Sequence, residues 1–539
     1  MFKTSAKRIF QAGVALLFAT AISLFTSCGE KHTPESLFRD SIKHEVKELS
    51  NSDFGKMYSQ VLNTKFEEVA ADASFKIELG SGIKPLFRTF SSFTGIDFSF
   101  LKDATFDYNV VLKKTLMNMG IKLKINDTDI VSGNILLDEN SNSLFFKIPE
   151  LLDKEFFMQG DDITDISTAF KTSMNQSYKI IGMLPSKETV DGLVNEILDS
   201  LLSEIKDVQE SDITVTVDSK YGKVSTDCKE LILEVDSDMA EAMIENFSKT
   251  IESSKNFEKL CKTLVDIVNE QAQGWYSYTV DEVKGELSEA LSYAVEGILD
   301  YEPTITLYAD TSKNLHGFEI TINYDTFTVL TPKSKNNFGI DVSFYDYYDE
   351  ETYTIVSGYG TKSGNKTSCD IDFNSPDIGS FLEISTSDLT VTNNGFTGTL
   401  VLMPKQALIK ALYNEFYYYS SLSSVLYYLA DSKITFVGEQ ASKDLIKGKM
   451  TFADNYDTDY FTVYFTEKVK KNANVKVPKN TDDMINLSGL EYYEIYDILY
   501  DIKLDEIADN LAKAGFPDEI TYEIRNMDGE DLVNSLGGF

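Results

Sequence analysis

The chain contains very little histidine, tryptophan and cysteine. Its 539 residues include three histidines, one tryptophan and four cysteines. So few histidines leave no partners for a histidine-based catalytic triad or a zinc site. Three of the cysteines, Cys228, Cys261 and Cys369, are far apart, without CxxC spacing and odd in number. They predict buried free thiols rather than a disulfide framework or a metal site, and no cofactor is expected.

Basic residues are also scarce. The chain has 50 Lys and Arg against 86 Asp and Glu, which gives a formal net charge of −36. A body with this charge repels phosphate backbones and anionic lipid head groups. The composition therefore argues against nucleic acid as a partner, and against a body that lies flat on an anionic membrane.

Long apolar runs are missing as well, apart from a short one near the N-terminus. The run covers Ala12–Phe25 and follows a basic segment. It is shorter than the ~20 residues that a membrane-spanning helix needs, but it has the length of a signal-peptide core. The small residues Thr26 and Ser27 then lead to Cys28. We expect residues 1–27 to be a lipoprotein signal peptide and Cys28 to carry the lipid; an ordinary secretory signal with a chance cysteine is the alternative.

The order of patterns predicts how the rest of the chain is organised. Residues 28–33 form a short tether that holds the body close to the membrane. An N-terminal α+β unit is expected over 34–300 and a β-rich α+β unit over 301–539, with the boundary at Tyr301-Glu302-Pro303. The predicted fold class is α+β, with curved antiparallel sheets, of meander or half-barrel-like form, covered by amphipathic helices in two tandem units.

Helical spacing of apolar residues alternates with period-two patterns along the body. Helices are predicted after Thr33 and Ser186, and over 54–71, 238–270, 280–299, 405–429 and 484–510. Strands are predicted near 75–79, 106–112, 121–125, 133–137, 144–148, 213–217, 230–235, 304–308, 317–324, 340–345, 352–357, 368–373, 381–385, 397–403, 434, 446–452 and 461–465.

This layout resembles that of large uncharacterised bacterial surface lipoproteins. The resemblance lies in the lipobox Leu24-Phe25-Thr26-Ser27-Cys28, the helix that follows it, and the hairpin ending Phe146-Lys147-Ile148-Pro149. It implies a lipid anchor on Cys28, but no assigned activity and no functional residues in the body. More loosely, a curved sheet that clasps helices is similar to lipoprotein-carrier and lipid-carrier folds.

Three segments suggest chemistry that simpler structures explain better. Gly358–Gly364 has the composition of a phosphate loop, but it lies between two strands, so a hairpin turn is predicted. Asp454–Asp459 is rich in oxygen ligands but lacks the glycine and glutamate of a calcium loop, so a polar turn is predicted, with calcium as the alternative. His316 shares a strand face with apolar residues, which predicts a histidine at the rim of the core.

Aromatic residues supply the remaining functional hypothesis. The chain has 35 Phe and 29 Tyr, and Tyr413, Tyr417 and Tyr418 belong to a crowded helix. Such a stripe is typical of a wide core, but it also fits an amphipathic ligand groove between this helix and sheet residues such as Phe318 and Ile320.

We therefore expect a membrane-anchored extracytoplasmic lipoprotein that is not an enzyme. Its body is predicted to be a binding or carrier module for an apolar or amphipathic ligand. Its partners would be the membrane, through the lipid on Cys28, and a lipid-like ligand or an envelope protein, but not nucleic acid. An envelope scaffold is the alternative, and a carboxylate-dependent hydrolase is less favoured because no acid pair stands out.

Overall fold

The computed structural model describes most of the body of the chain. The described residues are 32–51, 68–85, 97–113, 115–163, 184–271, 277–392, 395–415, 432–442, 444–470, 473–478, 483–490 and 504–527, with a few isolated positions between them. Within these ranges the protein is mixed α+β, strands predominate, and the sheet structure is open and antiparallel. The predicted fold class is confirmed at that level.

The chain divides into two compact units that are interleaved in sequence. Unit 1 comprises Met1–Thr64, Lys179–Asn393 and Leu402–Ala430, and unit 2 comprises Lys65–Tyr178, Asn394–Val401 and Asp431–Phe539. Unit 1 runs through residue 300 without a break, and each unit draws on distant parts of the chain. The structure therefore does not show the two tandem units, 34–300 and 301–539, that the sequence predicted.

Unit 1 contains a meander of strands and six helices among its described residues. The helices are α1 (Pro34–Asn51), α2 (Lys187–Leu202), α3 (Ser237–Ser253), α4 (Lys255–Gln271), α5 (Val280–Leu299) and α6 (Gln406–Glu415). The strands are β7 (Gln209–Ser219), β8 (Gly222–Glu234), β9 (Thr304–Ala309), β10 (Leu315–Ile322), β11 (Asp325–Leu330), β12 (Lys333–Ser334), β13 (Asn337–Asp346), β14 (Glu351–Ser363), β15 (Lys366–Ser375) and β16 (Gly379–Thr392). They pair antiparallel in the order β7-β8-β9-β10-β11-β13-β14-β15-β16, and β12 pairs with β13.

The core of unit 1 lies between this sheet and its helices. Leu37 and Phe38 of α1 join Met239 and Met243 of α3 and strand residues such as Leu231 in one buried cluster. A second cluster lies among the helices, around side chains of α3 and α4. Apolar residues spaced three and four apart give each helix one stripe that contacts the sheet or its neighbours.

Unit 2 is also built mainly on antiparallel strands. Its strands are β1 (Glu68–Leu79), β2 (Asp103–Lys113), β3 (Leu116–Ile125), β4 (Thr128–Asp138), β5 (Ser143–Lys147), β6 (Phe156–Gln159), β18 (Lys433–Ser442), β19 (Leu445–Ala453), β20 (Asp459–Val469) and β21 (Ile485–Asn486); β17 (Gly395–Pro404) begins in this unit. The order is β21-β6-β5-β4-β3-β2-β1-β20-β19-β18, and only the pair β21–β6 is parallel within this set. Two helices, α7 (Asp505–Ala514) and α8 (Asp518–Asn526), complete the described elements.

Helix α7 packs on unit 2 at the start of β4. Leu511 and Ala514 of α7 are buried against Ile130. The helix ends at Gly515, whose φ of 97° is a left-handed conformation that glycine adopts without a steric penalty. The side chain of Asn126 donates from Nδ2 to the carbonyl of Ala514 at 2.5 Å, which holds the end of the helix to the β3–β4 turn.

Several helix starts follow from local capping chemistry. Ser186 caps α2, as predicted, because its Oγ accepts the backbone N–H of Thr189 at 3.2 Å. Thr279 and Glu282 form a capping box at the start of α5. The predicted helix over 280–299 and the helix after Thr33 are both confirmed.

Three predicted helices differ from the structure. The helix over 54–71 cannot include its last residues, because β1 begins at Glu68 and Ala70 pairs with Val111 of β2; residues 54–67 lie outside the described ranges. The helix over 238–270 is two helices, because the Oγ of Ser254 accepts the N–H of Phe257 at 3.0 Å and starts a new one. The prediction of a helix over 484–510 is wrong at its start, because Ile485–Asn486 is strand β21 and pairs with β6. The helix in this region, α7, begins only at Asp505.

Candidate ligand-binding face and buried polar cluster

One face of the sheet in unit 2 is apolar across four adjacent strands. Residues directly opposite each other in an antiparallel pair point to the same side of the sheet. Phe75 of β1 lies opposite both Phe106 of β2 and Phe465 of β20, and Tyr108 lies opposite Ile121 of β3. We call this side the apolar face. Its central residues are Phe75, Ile77, Phe106, Tyr108, Ile121, Leu123, Val463 and Phe465.

The central part of the apolar face is exposed. Phe75, Ile77 and Phe106 are each 42% exposed, and Ile121 is 40% exposed. The ring of Tyr108 stacks on Phe75 with a centroid distance of 6.1 Å, which aligns the aromatic side chains across β1 and β2. An antiparallel sheet ordinarily packs its apolar side on a core and leaves the other side in water. Here the apolar side itself stays accessible.

The opposite side, which we call the polar face, has the expected charged pairs. The carboxylate of Asp107 accepts from the Oγ of Ser74 at 2.6 Å and lies 2.9 Å from the Nζ of Lys124. The hydrogen bond to Asp107 raises the pKa of Lys124 above its ordinary value. Lys76 forms a further ion pair with Asp103 at 3.4 Å. This part of the polar face therefore pairs its charged side chains with one another.

A cluster of buried polar groups lies in unit 1, where α1 meets the start of β10. Glu45 of α1 is 5% exposed, and its Oε1 accepts the backbone N–H of Leu315 at 3.3 Å. Asp310 accepts from the Nδ2 of Asn314 at 2.8 Å and lies 3.2 Å from the Nε2 of His316. We call Glu45, Asp310, Asn314, His316 and Lys333 the buried polar cluster.

This cluster has more acceptors than donors. Glu45 Oε2, Asn314 Oδ1 and His316 Nδ1 are buried and have no hydrogen-bond partner among the described residues. With the proton of His316 on Nε2, facing the Asp310 carboxylate, all three unpaired atoms are acceptors. Buried acceptors without a donor are unfavourable by about 1–3 kcal/mol each, so the cluster favours an added proton or ordered water.

Burial sets the charge states in the cluster. Burial raises the pKa of Glu45 to about 7, against the smaller opposing effect of Lys333 and the N–H of Leu315. Burial lowers the pKa of Lys333, although the Glu45 charge opposes that shift. Burial alone would raise the pKa of Asp310, but hydrogen bonds from His316 and Asn314 hold it below its ordinary value. Glu45 therefore changes charge near neutral pH.

Local backbone geometry places His316 in this cluster. The pairing of β9 and β10 shifts register between Leu315 and Gly317, which is a β-bulge at His316. The carbonyl of His316 accepts the N–H of Thr331 at 2.8 Å. His316 is 4% exposed. The prediction of a histidine packed at the core is confirmed, but its contact with Asp310 was not anticipated.

The sequence contains one signal that points to Glu45. Leu37, Ser41 and Glu45 recur every four residues along α1, so Glu45 occupies the buried stripe of that helix. A carboxylate on such a stripe needs a partner in the core or a raised pKa. The partners lie about 270 residues away, and no spacing rule connects them to α1.

The predicted groove residues are not brought together among the described residues. Phe318 is 5% exposed and belongs to the core cluster of unit 1, and Ile320 packs against the same cluster. Tyr413 lies in α6, but its side chain is outside the description, as are Tyr417, Tyr418 and Cys28. Phe318 and Ile320 are thus part of a packed core, and the ligand role of all these residues stays a prediction.

The predicted free thiols and turns are confirmed where they are described. Cys228 and Cys261 are buried and free, whereas Cys369 is free and half-buried. Burial raises the pKa of the Cys228 thiol to about 12, so it remains protonated at neutral pH. The Oδ1 of Asp454 accepts the N–H groups of Tyr456 and Thr458 in a polar turn. In the described part of the chain, no group of three or more His, Cys, Asp or Glu side chains has a metal-binding arrangement.

Gly358–Gly364 forms part of a hairpin, as predicted. Strands β14 and β15 pair up to Ser363 and Lys366, and Gly364 occupies the turn with a φ of 63°. Gly358 and Gly360 lie within β14, where each is opposite a residue of β15. The segment is therefore strand and turn, without the helix start that a phosphate site requires.

Comparison with known proteins adds no relative. No protein-family model matches the chain, and a search of curated proteins finds no significant match. None of the helices in the described ranges combines the length and the apolar character needed to cross a bilayer.

Proposed function

We propose that the protein is a lipid-anchored extracytoplasmic lipoprotein whose body binds an apolar or amphipathic ligand on the apolar face of unit 2. The observation that carries the proposal is the exposure of four large apolar side chains, Phe75, Ile77, Phe106 and Ile121, in register on three adjacent strands. An exposed contiguous patch of this kind marks a binding surface more often than a random part of a protein surface.

The size of the patch limits the affinity it can supply. A large apolar side chain has roughly 200 Å² of surface, so exposure near two-fifths leaves about 80 Å² on each of the four. Covering all four would remove about 320 Å² of apolar surface and contribute about 8 kcal/mol at 25 cal/mol per Å². Because association itself costs several kcal/mol, these four side chains alone support binding no tighter than micromolar.

The anchor part of the proposal rests on the sequence around Cys28. A short apolar run with small residues before a cysteine is typical of lipoprotein signals, and acyl chains contribute about 0.8 kcal/mol per buried CH₂. Helix α1 begins at Pro34, six positions after Cys28, and its residues Leu37 and Phe38 are buried in the core of unit 1. A lipid on Cys28 would therefore be joined to a folded body by only a few residues.

The binding test compares two faces of the same sheet. The chain without residues 1–27, with Cys28→Ser, is titrated with a fluorescent fatty acid, and bound lipids are identified by native mass spectrometry. Phe75→Ser removes about 80 Å² of contact, or about 2 kcal/mol, so we expect affinity to fall about 30-fold. Tyr464→Ser is the matched control, because Tyr464 is 39% exposed and lies opposite Lys76 on the polar face.

The outcomes separate the proposal from its alternatives. Saturable binding that Phe75→Ser weakens and Tyr464→Ser leaves intact supports an apolar ligand on this face. Equal effects of the two variants would place binding elsewhere. Absence of binding to every fatty acid and of any co-purified lipid would refute the ligand-binding role.

A second candidate function is a protein-interaction role in the cell envelope. It is favoured by an exposed tyrosine cluster on unit 1, formed by Tyr324, Tyr347 and Tyr348 at 71%, 49% and 88% exposure. The rings of Tyr324 and Tyr347 lie 4.9 Å apart, and those of Tyr347 and Tyr348 lie 6.0 Å apart. Tyrosine is enriched in protein interfaces. The test is crosslinking on intact cells. Loss of a crosslinked partner in a Tyr324→Ser, Tyr348→Ser double variant would support this role, and unchanged crosslinks would refute it.

A further inference from the structure

A cleft of about 480 Å³ opens on the polar face of unit 2, away from the apolar face. Asparagine side chains dominate its polar lining. Asn109, Asn118 and Asn134 come from the sheet, Asn474 and Lys476 come from the segment 473–478, and Glu155 also lines the cleft. We call it the asparagine cleft.

Strand register brings three of these carboxamides together. Asn109 of β2 lies opposite Gly120 of β3, and Gly120 lies opposite Asn134 of β4. Asn118 is the next residue along β3 on the same side, two positions from Gly120. Asparagine is depleted in strands, so three on adjacent positions of one face are not expected from sheet stability alone.

Gly120 makes room for the first of them. A Cβ atom at this position would lie 2.4 Å from the Nδ2 of Asn109 and 3.1 Å from its Cγ. The amide of Asn109 therefore lies across the glycine, over the middle strand. Gly120 does not adopt a left-handed φ, so its backbone conformation does not require glycine. The glycine instead leaves space for the side chain of Asn109.

Lys470 at the edge of the cleft pairs with Asp72, but most other polar side chains of the cleft have no partner in the part of the chain that the structure describes. Among the described residues, the side chains of Asn109, Asn118, Asn134, Glu155 and Lys476 make no hydrogen bond or ion pair. Elsewhere on the same face the polar side chains pair with each other, as Ser74 and Lys124 do with Asp107. The cleft is the part of this face whose hydrogen-bonding groups are available to a molecule from outside.

The walls of the cleft are held in place before any ligand arrives. The Nζ of Lys470 lies 2.5 Å from Asp72, and its backbone N–H donates to the carbonyl of Ala70 at 2.7 Å. Beyond it, Val475 and Val477 pack against the buried cluster that contains Leu136. Lys470 and the valines of segment 473–478 thus hold this side of the cleft against the sheet.

We propose that the asparagine cleft binds a neutral saccharide of one or two rings. A carboxamide donates and accepts hydrogen bonds without a charge, as a sugar hydroxyl does, so several carboxamides match a set of neighbouring hydroxyl groups. Glu155 and Lys476 add one acceptor and one donor with no net charge. The apolar lining residues Val111, Leu136 and Pro478 can contact the C–H side of a sugar ring. The volume is within the range of small-molecule sites.

The test uses saturation-transfer NMR on the whole chain, extracted from membranes in a detergent that contains no sugar. The probes are maltose, cellobiose, lactose, N-acetylglucosamine and its disaccharide, and N-acetylglycine amide as a peptide-like probe. We expect saturation transfer to ring protons of at least one saccharide. Asn118→Leu with Asn134→Leu should reduce that transfer at least tenfold, and Gly120→Ala should reduce it by displacing the Asn109 amide.

Two controls keep the result interpretable. Asn365→Leu changes an exposed asparagine in the β14–β15 turn of unit 1 and should leave transfer unchanged. Binding of the fluorescent fatty acid to the apolar face should also survive in the cleft variants, which shows that unit 2 remains folded. Absence of transfer to all saccharides, transfer that the cleft variants do not reduce, or transfer only to the amide probe would each overturn the proposal.

Discussion

The buried carboxyl group of Glu45 should make the stability of unit 1 depend on pH. Its pKa is about 7 in the folded protein, against an ordinary value of 4.5. Between these two values the folded state keeps a proton that the unfolded state has lost. The contribution of Glu45 to the free energy of unfolding is therefore fully present at and below pH 4.5. It falls as the pH rises from 4.5 to about 7 and is lost at higher pH. The difference corresponds to about 3 kcal/mol at 1.36 kcal/mol per pKa unit.

Glu45→Gln isolates this effect. Glutamine is uncharged throughout and keeps an acceptor for the N–H of Leu315. We expect the variant to resemble the parent at pH 4.5 and to be more stable at pH 8 by up to about 3 kcal/mol. Other charged groups face this site, namely Lys333, Asp310 and the neighbouring Glu48. Because they are present in both proteins, their own titrations largely cancel in the comparison.

The measurement is urea unfolding followed by circular dichroism at pH 4.5, 6, 7 and 8. Hydrogen exchange of the α1 peptide identifies which transition belongs to unit 1. Glu258→Gln, an exposed position on α4 of the same unit, is the matched control and should leave the pH dependence unchanged. Equal pH slopes for the parent and Glu45→Gln would refute the reasoning, since they would mean that Glu45 is already ionised at pH 4.5 to 6 in the folded protein.

Three shorter predictions concern the anchor, a helix cap and a thiol. Cys28→Ser should abolish metabolic labelling with an alkyne fatty acid, and labelling that persists would contradict the proposed anchor. Ser186→Ala removes the hydrogen bond to the N–H of Thr189 and should lower the free energy of unfolding by about 1 kcal/mol; an unchanged urea midpoint would argue against this cap. Iodoacetamide at pH 8 should label the buried Cys228 much more slowly than the half-buried Cys369, because the reagent reaches its sulfur less easily; burial raises the pKa of both thiols, that of Cys228 to about 12, and equal rates by mass spectrometry would disprove this.

Period-two patterns predicted the strands well because they report a local property of the backbone. The hairpin of β4 and β5 lies where alternation and turn residues indicated it, as do β9, β10 and β13 to β16, but β11 and the short β12 were not predicted. The errors occur where pairing at a distance overrides local preference. Ala70 and Ala71 favour a helix by propensity, but the register with β2 draws them into β1. The break at Ser254 depends on a single side-chain hydrogen bond, which no periodicity detects.

The candidate sites were less predictable than the strands, because they depend on contacts between elements that are far apart in the sequence. Phe75 and Phe106 belong to predicted strands, and alternation alone cannot say whether a second layer covers them. Glu45 could have been noticed on the buried stripe of α1, but its contact with Leu315 joins residues that no local pattern relates. The asparagine cleft requires the register of β2, β3 and β4, in which Asn109 and Asn134 flank Gly120.

Phe318 and Phe75 show that the elements packed against a strand, rather than the alternation of its apolar residues, decide where a ligand could bind. Both lie in strands with alternating apolar side chains, and the sequence favoured Phe318 as a groove residue. In unit 1, however, α1, α2, α3 and α5 contribute side chains to the cluster that buries Phe318 to 5% exposure. In unit 2, the described helix α7 packs at the start of β4, and Phe75 stays 42% exposed. Among the described residues, Phe75 therefore offers a ligand more apolar surface than Phe318 does, although both lie in strands with the same alternation in sequence.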